Sequence, residues 1–160
     1  MKEPALLYVE DNLDDRVLFD MACKQADAQF RLFSVEHGKE AVDYLSGSGR
    51  YANRSEFPLP DGVLLDLKMP FLDGFGVLRW IRGHNSFAGL PVFVFSSSYQ
   101  EADIQRAYEQ QATAFLTKPA EFKALTHLAS TLYRCFSHGH IHIGPIKSLP
   151  QFKRPLVIPR

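Results

Sequence analysis

Cysteine is scarce. The 160 residues hold only Cys23 and Cys135. Two thiols so far apart in the chain supply neither a disulfide framework nor a zinc site, and both read as small buried apolar side chains. Long apolar runs are missing as well. None approaches the ~20 residues needed to span a bilayer, and the opening stretch MKEPALLYVED meets acid too early for a secretory signal. These absences predict a cytoplasmic protein with no membrane attachment. An excess of one charge is lacking too: 18 Lys and Arg face 18 Asp and Glu. That balance argues against a general binder of nucleic acid or membrane surfaces. It hides an asymmetry, because Lys147, Lys153, Arg154 and Arg160 sit in an acid-free stretch at residues 137–160 and leave the body with 14 basic residues against 18 acidic ones.

What is present suits one domain with a real core, since 46% of the residues are hydrophobic and 22% charged. Five short apolar runs, at residues 5–9, 30–35, 62–65, 91–95 and 114–117, have strand length. Several are apolar on consecutive residues, as buried parallel strands are. Helical spacing lies between them. Leu13, Val17, Leu18, Met21 and Ala22 mark a first helix, with Asp14 and Asp15 near its start. Ala41, Val42 and Leu45 mark a second, and Phe75, Val77, Leu78 and Ile81 a third. Ile104, Ala107 and Tyr108 give a fourth. Phe122, Leu125, Leu128, Ala129, Leu132 and Phe136 give a fifth. Five β-α repeats predict an α/β fold with a parallel five-stranded sheet, doubly wound and functional at the carboxyl ends of its strands.

Two segments depart from the repeat. Residues 46–61, SGSGRYANRSEFPLPD, read as a long solvated loop. The division expected is a domain at 1–136 and a basic tail at 137–160, too short for an output domain. Pro145, Pro150, Pro155 and Pro159 exclude a regular helix in that tail. Its β-forming stretches predict an extended segment lying on the body or on a neighbouring chain, drawn by the acid of residues 1–136. His138, His140 and His142 alternate within it. With no acid or cysteine beside them they read as solvated rather than as metal ligands.

The strand ends carry the chemistry. The stretch VLLDLKMP at 63–70 runs from a buried strand straight into Asp66. Glu10 and Asp11 follow the first strand, Ser96, Ser97 and Ser98 the fourth, and Lys118 and Pro119 the fifth. Carboxylates gathered at one edge repel and need a cation, and hard oxygen ligands suit Mg²⁺. Glu10, Asp11 and Asp66 are the expected metal ligands. Asp66 is then a nucleophile able to form an acyl phosphate, with Ser96 and Lys118 binding the phosphoryl oxygens. Ser97 and Ser98 read as ordinary loop hydroxyls.

LYVEDN at 7–12, LLDLKMPFLDG at 64–74, VFS at 94–96 and AFLTKP at 114–119 resemble, in order, the motifs of the response regulator receiver domain, and the resemblance covers residues 5–136. It implies the CheY-like, flavodoxin-like (βα)5 fold with strand order 2-1-3-4-5. It also implies a place in a two-component phosphorelay: Asp66 would accept a phosphoryl group from a sensor histidine kinase, with self-catalysed phosphorylation and dephosphorylation as the only chemistry. Glu10 and Asp11 match the metal-binding acids, and the backbone carbonyl of Lys68 would join them. Ser96 and Phe115 match the switch residues, whose change would reshape the surface of the fourth helix, fifth strand and fifth helix. The long loop and serine run resemble stand-alone regulators associated with bacterial phytochrome kinases. Output would pass to a downstream protein, a phosphotransfer protein or a homodimer. The sequence departs from the pattern at Gln110-Gln111-Ala112, where a glycine is usual, at Phe115, which has no hydroxyl, and at Lys68, a large cation at the mouth.

Three other readings compete with this one. A phosphatase of the haloacid dehalogenase type shares the strand-end Asp, Mg²⁺, Ser and Lys, but its general acid two residues on is here Lys68. A flavodoxin-like cofactor carrier would need phosphate-binding donors where Glu10, Asp11, Asp14 and Asp15 stand. An adaptor unable to take a phosphoryl group would have lost the acidic pair or the lysine.

Overall fold

The strands form where the apolar runs stand. In the computed structural model, which describes residues 2–136 and 139–156, they are β1 (Ala5–Val9), β2 (Arg31–Val35), β3 (Gly62–Leu65), β4 (Val92–Ser96) and β5 (Ala114–Thr117). All four pairings among them are parallel, in the order β2-β1-β3-β4-β5. The helices are α1 (Leu13–Gln25), α2 (Gly38–Ser46), α3 (Gly74–Gly83), α4 (Glu101–Glu109) and α5 (Phe122–Arg134).

Strand alternation divides the core in two. Leu7, Val9, Val63, Leu65, Val94 and Phe115 face α2, α3 and α4, while Leu6, Tyr8, Leu64, Phe93, Phe95 and Leu116 face α1 and α5. Both faces of the central strands are therefore covered, which is why the runs are apolar throughout. One stripe behaves differently. In α1 the buried residues are Phe19, Ala22 and Cys23, whereas Leu13, Val17, Leu18 and Met21 are exposed. The helix lies where its spacing places it, but most of its larger apolar stripe faces outward.

The segment at 46–61 is more ordered than a solvated loop. A 3-10 turn at Gly49–Ala52 buries Tyr51, and Phe57 packs beside it at 5.0 Å between ring centroids. The Arg54 guanidinium donates to the carbonyls of Tyr44 and Leu45, each at 2.8 Å, and so satisfies the end of α2. At the glycine-free turn Gln111 adopts a φ of 66°, a conformation costly for a residue with a Cβ. Its carbonyl accepts from Arg82 Nε at 2.9 Å, which braces the turn.

The expected five-stranded sheet has a sixth member. β6 (Phe152–Lys153) pairs antiparallel with β5, matching Phe115 to Lys153 and Leu116 to Phe152. It covers an edge that would otherwise be open. The tail does lie on the body as an extended segment, but not by charge. Among the described residues Lys147, Lys153 and Arg154 make no ion pair, and Arg160 lies outside those residues. Apolar burial holds the tail instead: Ile146 is fully buried and Leu149 nearly so, both in the α1–α5 half of the core. The prolines do not exclude every helical turn, because Gly144–Ser148 forms a 3-10 turn with Pro145 at its start. His140 and His142 are exposed, and His138 lies outside the described residues. Cys23 and Cys135 are buried free thiols.

If the tail is part of the core, Ile146→Ala should destabilise the protein by about 2–4 kcal/mol, as truncation of a buried Ile does elsewhere. Denaturant unfolding measures this. A change near zero would mean that the tail docks without contributing to stability.

Candidate functional site

The register of two neighbouring strands builds the site. β1 pairs with β3 so that Val9 lies opposite Leu65. The next residues, Glu10 and Asp66, leave the sheet side by side, with the Asp66 N–H still donating to the Val9 carbonyl at 3.0 Å. Asp11 follows at once. One carboxylate oxygen from each of Glu10, Asp11 and Asp66 lies within 4.8 Å of the others. Glu10 and Asp66 are buried and Asp11 is exposed.

Lys118 arrives from β5, where its N–H donates to the Ser96 carbonyl at 2.8 Å. Its ammonium donates to Glu10 Oε2 at 2.9 Å and to Asp15 Oδ2 at 2.9 Å, and lies 3.8 Å from Asp66 Oδ2. Burial and then the charge of Asp66 push the Glu10 carboxyl up to about 8, against the opposing pull of Lys118. Burial also raises Asp66, although Lys118 and the Lys68 backbone oppose it. Burial alone would lower Lys118, but Asp66, Asp15 and Glu10 outweigh it and hold the ammonium charged. Two carboxyls that resist ionisation beside one lysine form a donor set short of positive charge. A divalent cation fits it.

The loops are built to hold this edge. Asn12 caps α1 by accepting from the Asp15 N–H at 2.9 Å, and Arg16 donates to the Glu10 carbonyl at 2.7 Å. Asp73 caps α3 by accepting from the Gly76 N–H at 2.9 Å. Gly74 is required by close approach: a Cβ there would lie 2.2 Å from the Asp66 carbonyl oxygen. At the mouth Phe71 takes a φ of 65° and is fully exposed.

The remaining expected residues divide. Ser96 is fully buried. Its hydroxyl accepts from the Ser98 N–H at 3.1 Å and makes no hydrogen bond to Asp66 among the described residues. Phe115 is also fully buried, packed toward α4 with Ile104 and Ala107, so its ring already points inward. Lys68 is exposed and makes no ion pair among the described residues. Ser98 exceeds its reading as an ordinary loop hydroxyl. It is buried, donates to Asp103 at 2.6 Å and accepts from the Gln100 N–H, fixing the entry to α4. Asp15 is more than the helix-start acid its position suggests, since it is a direct partner of Lys118. No spacing in the sequence reveals this, because Asp11 precedes the helix and only the direction in which the first turn of α1 faces brings Asp15 to Lys118.

Residues 6–130 match the response regulator receiver domain family. The chain is similar to the response regulator Rcp1 of Synechocystis, at 32% identity over 120 residues, covering 75% of this chain and 80% of that protein. A crystal structure of the Mn²⁺-bound form of Rcp1 superposes with a TM-score of 0.71 at 29% identity, over 81% of this chain and 91% of that one. A response regulator in red light signalling of R. palustris superposes with a TM-score of 0.80 at 32% identity, over 85% and 95% of the two chains. The bacteriophytochrome response regulator AtBRR matches over 98% of this chain and 99% of its own, with a TM-score of 0.69 and 33% identity. Among the described residues no helix is long and apolar enough to cross a membrane.

The raised carboxyls give a pH dependence with a definite sign. An acid that binds its proton more tightly folded than unfolded stabilises the fold at low pH, and that contribution disappears as pH rises through the folded value. For Glu10 the window runs from its ordinary 4.5 to about 8. The melting temperature in chelator should fall across that window, and a divalent cation should restore most at its upper end. Glu10→Gln should flatten the profile. A flat profile in the unsubstituted protein would refute the electrostatic account.

Proposed function

The chain belongs to the response regulator receiver family, and from that premise we propose that it is a single-domain phosphorylation switch whose phosphoacceptor is Asp66. Two-component signalling is the setting of the family, and the family match supports that reading over the phosphatase alternative. The observation that carries the residue assignment is the convergence of Lys118 with Glu10, Asp11 and Asp66 at the carboxyl edge of the sheet.

The donor would be a phosphohistidine on a sensor kinase. Asp66 Oδ attacks the phosphorus, the new O–P bond forms as the N–P bond breaks, and the departing imidazole takes a proton from solvent. Glu10, Asp11, Asp66 and the backbone carbonyl of Lys68 are the residues that would hold Mg²⁺, and that ion would neutralise phosphoryl oxygens. The Mn²⁺-bound relative supports a divalent ion at this site. Lys118, 3.8 Å from Asp66 Oδ2, would bind the phosphoryl oxygens as well. The Ser96 hydroxyl, held now by Ser98, would turn to the phosphoryl group and alter the α4-β5-α5 surface. Because Phe115 is already buried, the ring follows this change within the core rather than entering from solvent.

The exposed stripe of α1 supports a protein partner at the mouth. Leu18 borders a small groove with Pro119, Phe122 and Leu125, and Leu13, Val17 and Met21 extend that apolar face along the helix. An amphipathic helix of the kinase would find a complementary apolar face there. The likeness to the bacteriophytochrome response regulator AtBRR supports a phytochrome-type kinase as the partner, and the cytoplasm is the compartment this reading assigns to the pair. Output passes to a downstream protein, to a phosphotransfer protein or through a homodimer.

Incubation with acetyl phosphate and Mg²⁺ followed by intact-mass measurement should show one phosphoryl adduct. Asp66→Asn should abolish it. No adduct on the unsubstituted chain, or an undiminished adduct on Asp66→Asn, would sink the assignment.

A further inference from the structure

Building on the reading of Asp66 as phosphoacceptor, we propose that Asp15 is a positioning residue for that reaction. It holds Lys118 beside the nucleophile while preventing the ammonium from bonding to it. A lysine ammonium has three N–H donors. Glu10 and Asp15 each take one at 2.9 Å. Asp66 stands at 3.8 Å, outside hydrogen-bond range. The ammonium therefore neutralises Asp66 through space but leaves its oxygen free to attack. The third N–H is left for an incoming phosphoryl oxygen.

One tether would not achieve this. Glu10 pulls from the end of β1 and Asp15 pulls from α1, so the two act from different elements. A single-tethered ammonium pivots, and there is room for it to do so. A cavity of about 50 Å³ adjoins Lys118, lined by Asp15 itself and otherwise by Tyr8, Leu18, Phe19, Phe95, Pro119 and Leu125. Without the Asp15 carboxylate its walls are largely apolar and solvate the charge poorly. The favourable alternative is to close the 3.8 Å gap to Asp66. A direct N–H···O bond would then occupy the attacking lone pair and place the lysine where the phosphoryl group must enter.

The competing account is that Asp15 merely supplies negative charge to the first turn of α1. Asp14 lies in the same turn and makes no contact with Lys118 among the described residues. It is therefore an internal control for that account.

The full-length chain is phosphorylated with acetyl phosphate at saturating Mg²⁺, and the rate of adduct formation is followed by intact mass for Asp15→Ala, Asp15→Asn and Asp14→Ala. Misplacing the lysine should slow Asp15→Ala about tenfold. Asp15→Asn, whose side-chain oxygen still accepts, should recover most of the loss. Asp14→Ala should react as the unsubstituted chain does. A normal rate in Asp15→Ala overturns the proposal, as does equal slowing in Asp15→Asn or in Asp14→Ala. Should Asp15→Ala fail to fold, Asp15→Ser takes its place, because its short hydroxyl does not reach the ammonium. If the unsubstituted chain itself takes no phosphoryl group, the assignment of Asp66 fails, and this proposal fails with it. A normal chain with an equally normal Asp15→Ala refutes Asp15 alone.

Discussion

Negative charge that the sheet itself brings together is the constraint on which the site depends. Strand neighbours lie about 4.8 Å apart. Once Val9 is set opposite Leu65, Glu10 and Asp66 cannot avoid each other. Two like charges near 4 Å cost about 4 kcal/mol at an effective dielectric of 20, and burial adds a desolvation cost. The fold meets this in three ways. It raises the Glu10 and Asp66 carboxyls above their ordinary values, chiefly through burial. It brings in one half-buried lysine. It leaves a three-carboxylate set whose electrostatics favour a further cation. A site that is short of positive charge at rest is responsive by construction, because a cation or a phosphoryl group changes its balance.

The backbone around Asp66 limits how that imbalance can be relieved. Gly74 sits so close to the Asp66 carbonyl that no side chain fits. The Gly74 N–H also donates to the Leu67 carbonyl at 3.0 Å, so the loop after β3 closes tightly onto the start of α3. Asp73 caps that helix. The acids therefore cannot relax by moving apart along the chain, and the freedom left to the site lies in Lys118 and in the hydroxyl of Ser96.

Much of this was legible in the sequence because it follows from adjacency along the chain. A strand reads as an apolar run, and the residue after it lies at the sheet edge. Glu10, Asp11, Asp66 and Lys118 could therefore be placed together without any pair distance. Asp15 was harder, since its role depends on which way one helix turn faces a lysine more than a hundred residues away. The α1 stripe shows the same limit. Apolar spacing at Leu13, Val17, Leu18 and Met21 marks a helix, but periodicity does not say which face meets the core. Phe19, Ala22 and Cys23 supply the buried face, leaving the larger residues outside. In the tail, prolines hid a 3-10 turn, and a two-residue strand is too short to announce itself by alternation.

That short strand matters because of where it pairs. β5 carries Lys118 at its end, buries Phe115 in its middle and has β6 along its open side. The Thr117 N–H donates to the Gln151 carbonyl at 2.9 Å, so the tail is bonded to the residue directly before the lysine. Tyr108 ties a third element to the same place. Its hydroxyl accepts from the Phe115 N–H at 3.2 Å and donates to the Lys153 carbonyl. One side chain of α4 thus grips the switch strand and the tail at once. Any rearrangement that shifts β5 relative to α4 must break or remake that pair of bonds. With Ile146 and Leu149 anchored in the opposite half of the core, the tail cannot follow β5 as a loose ribbon. It adds rigidity to the face that the proposed switch would have to move.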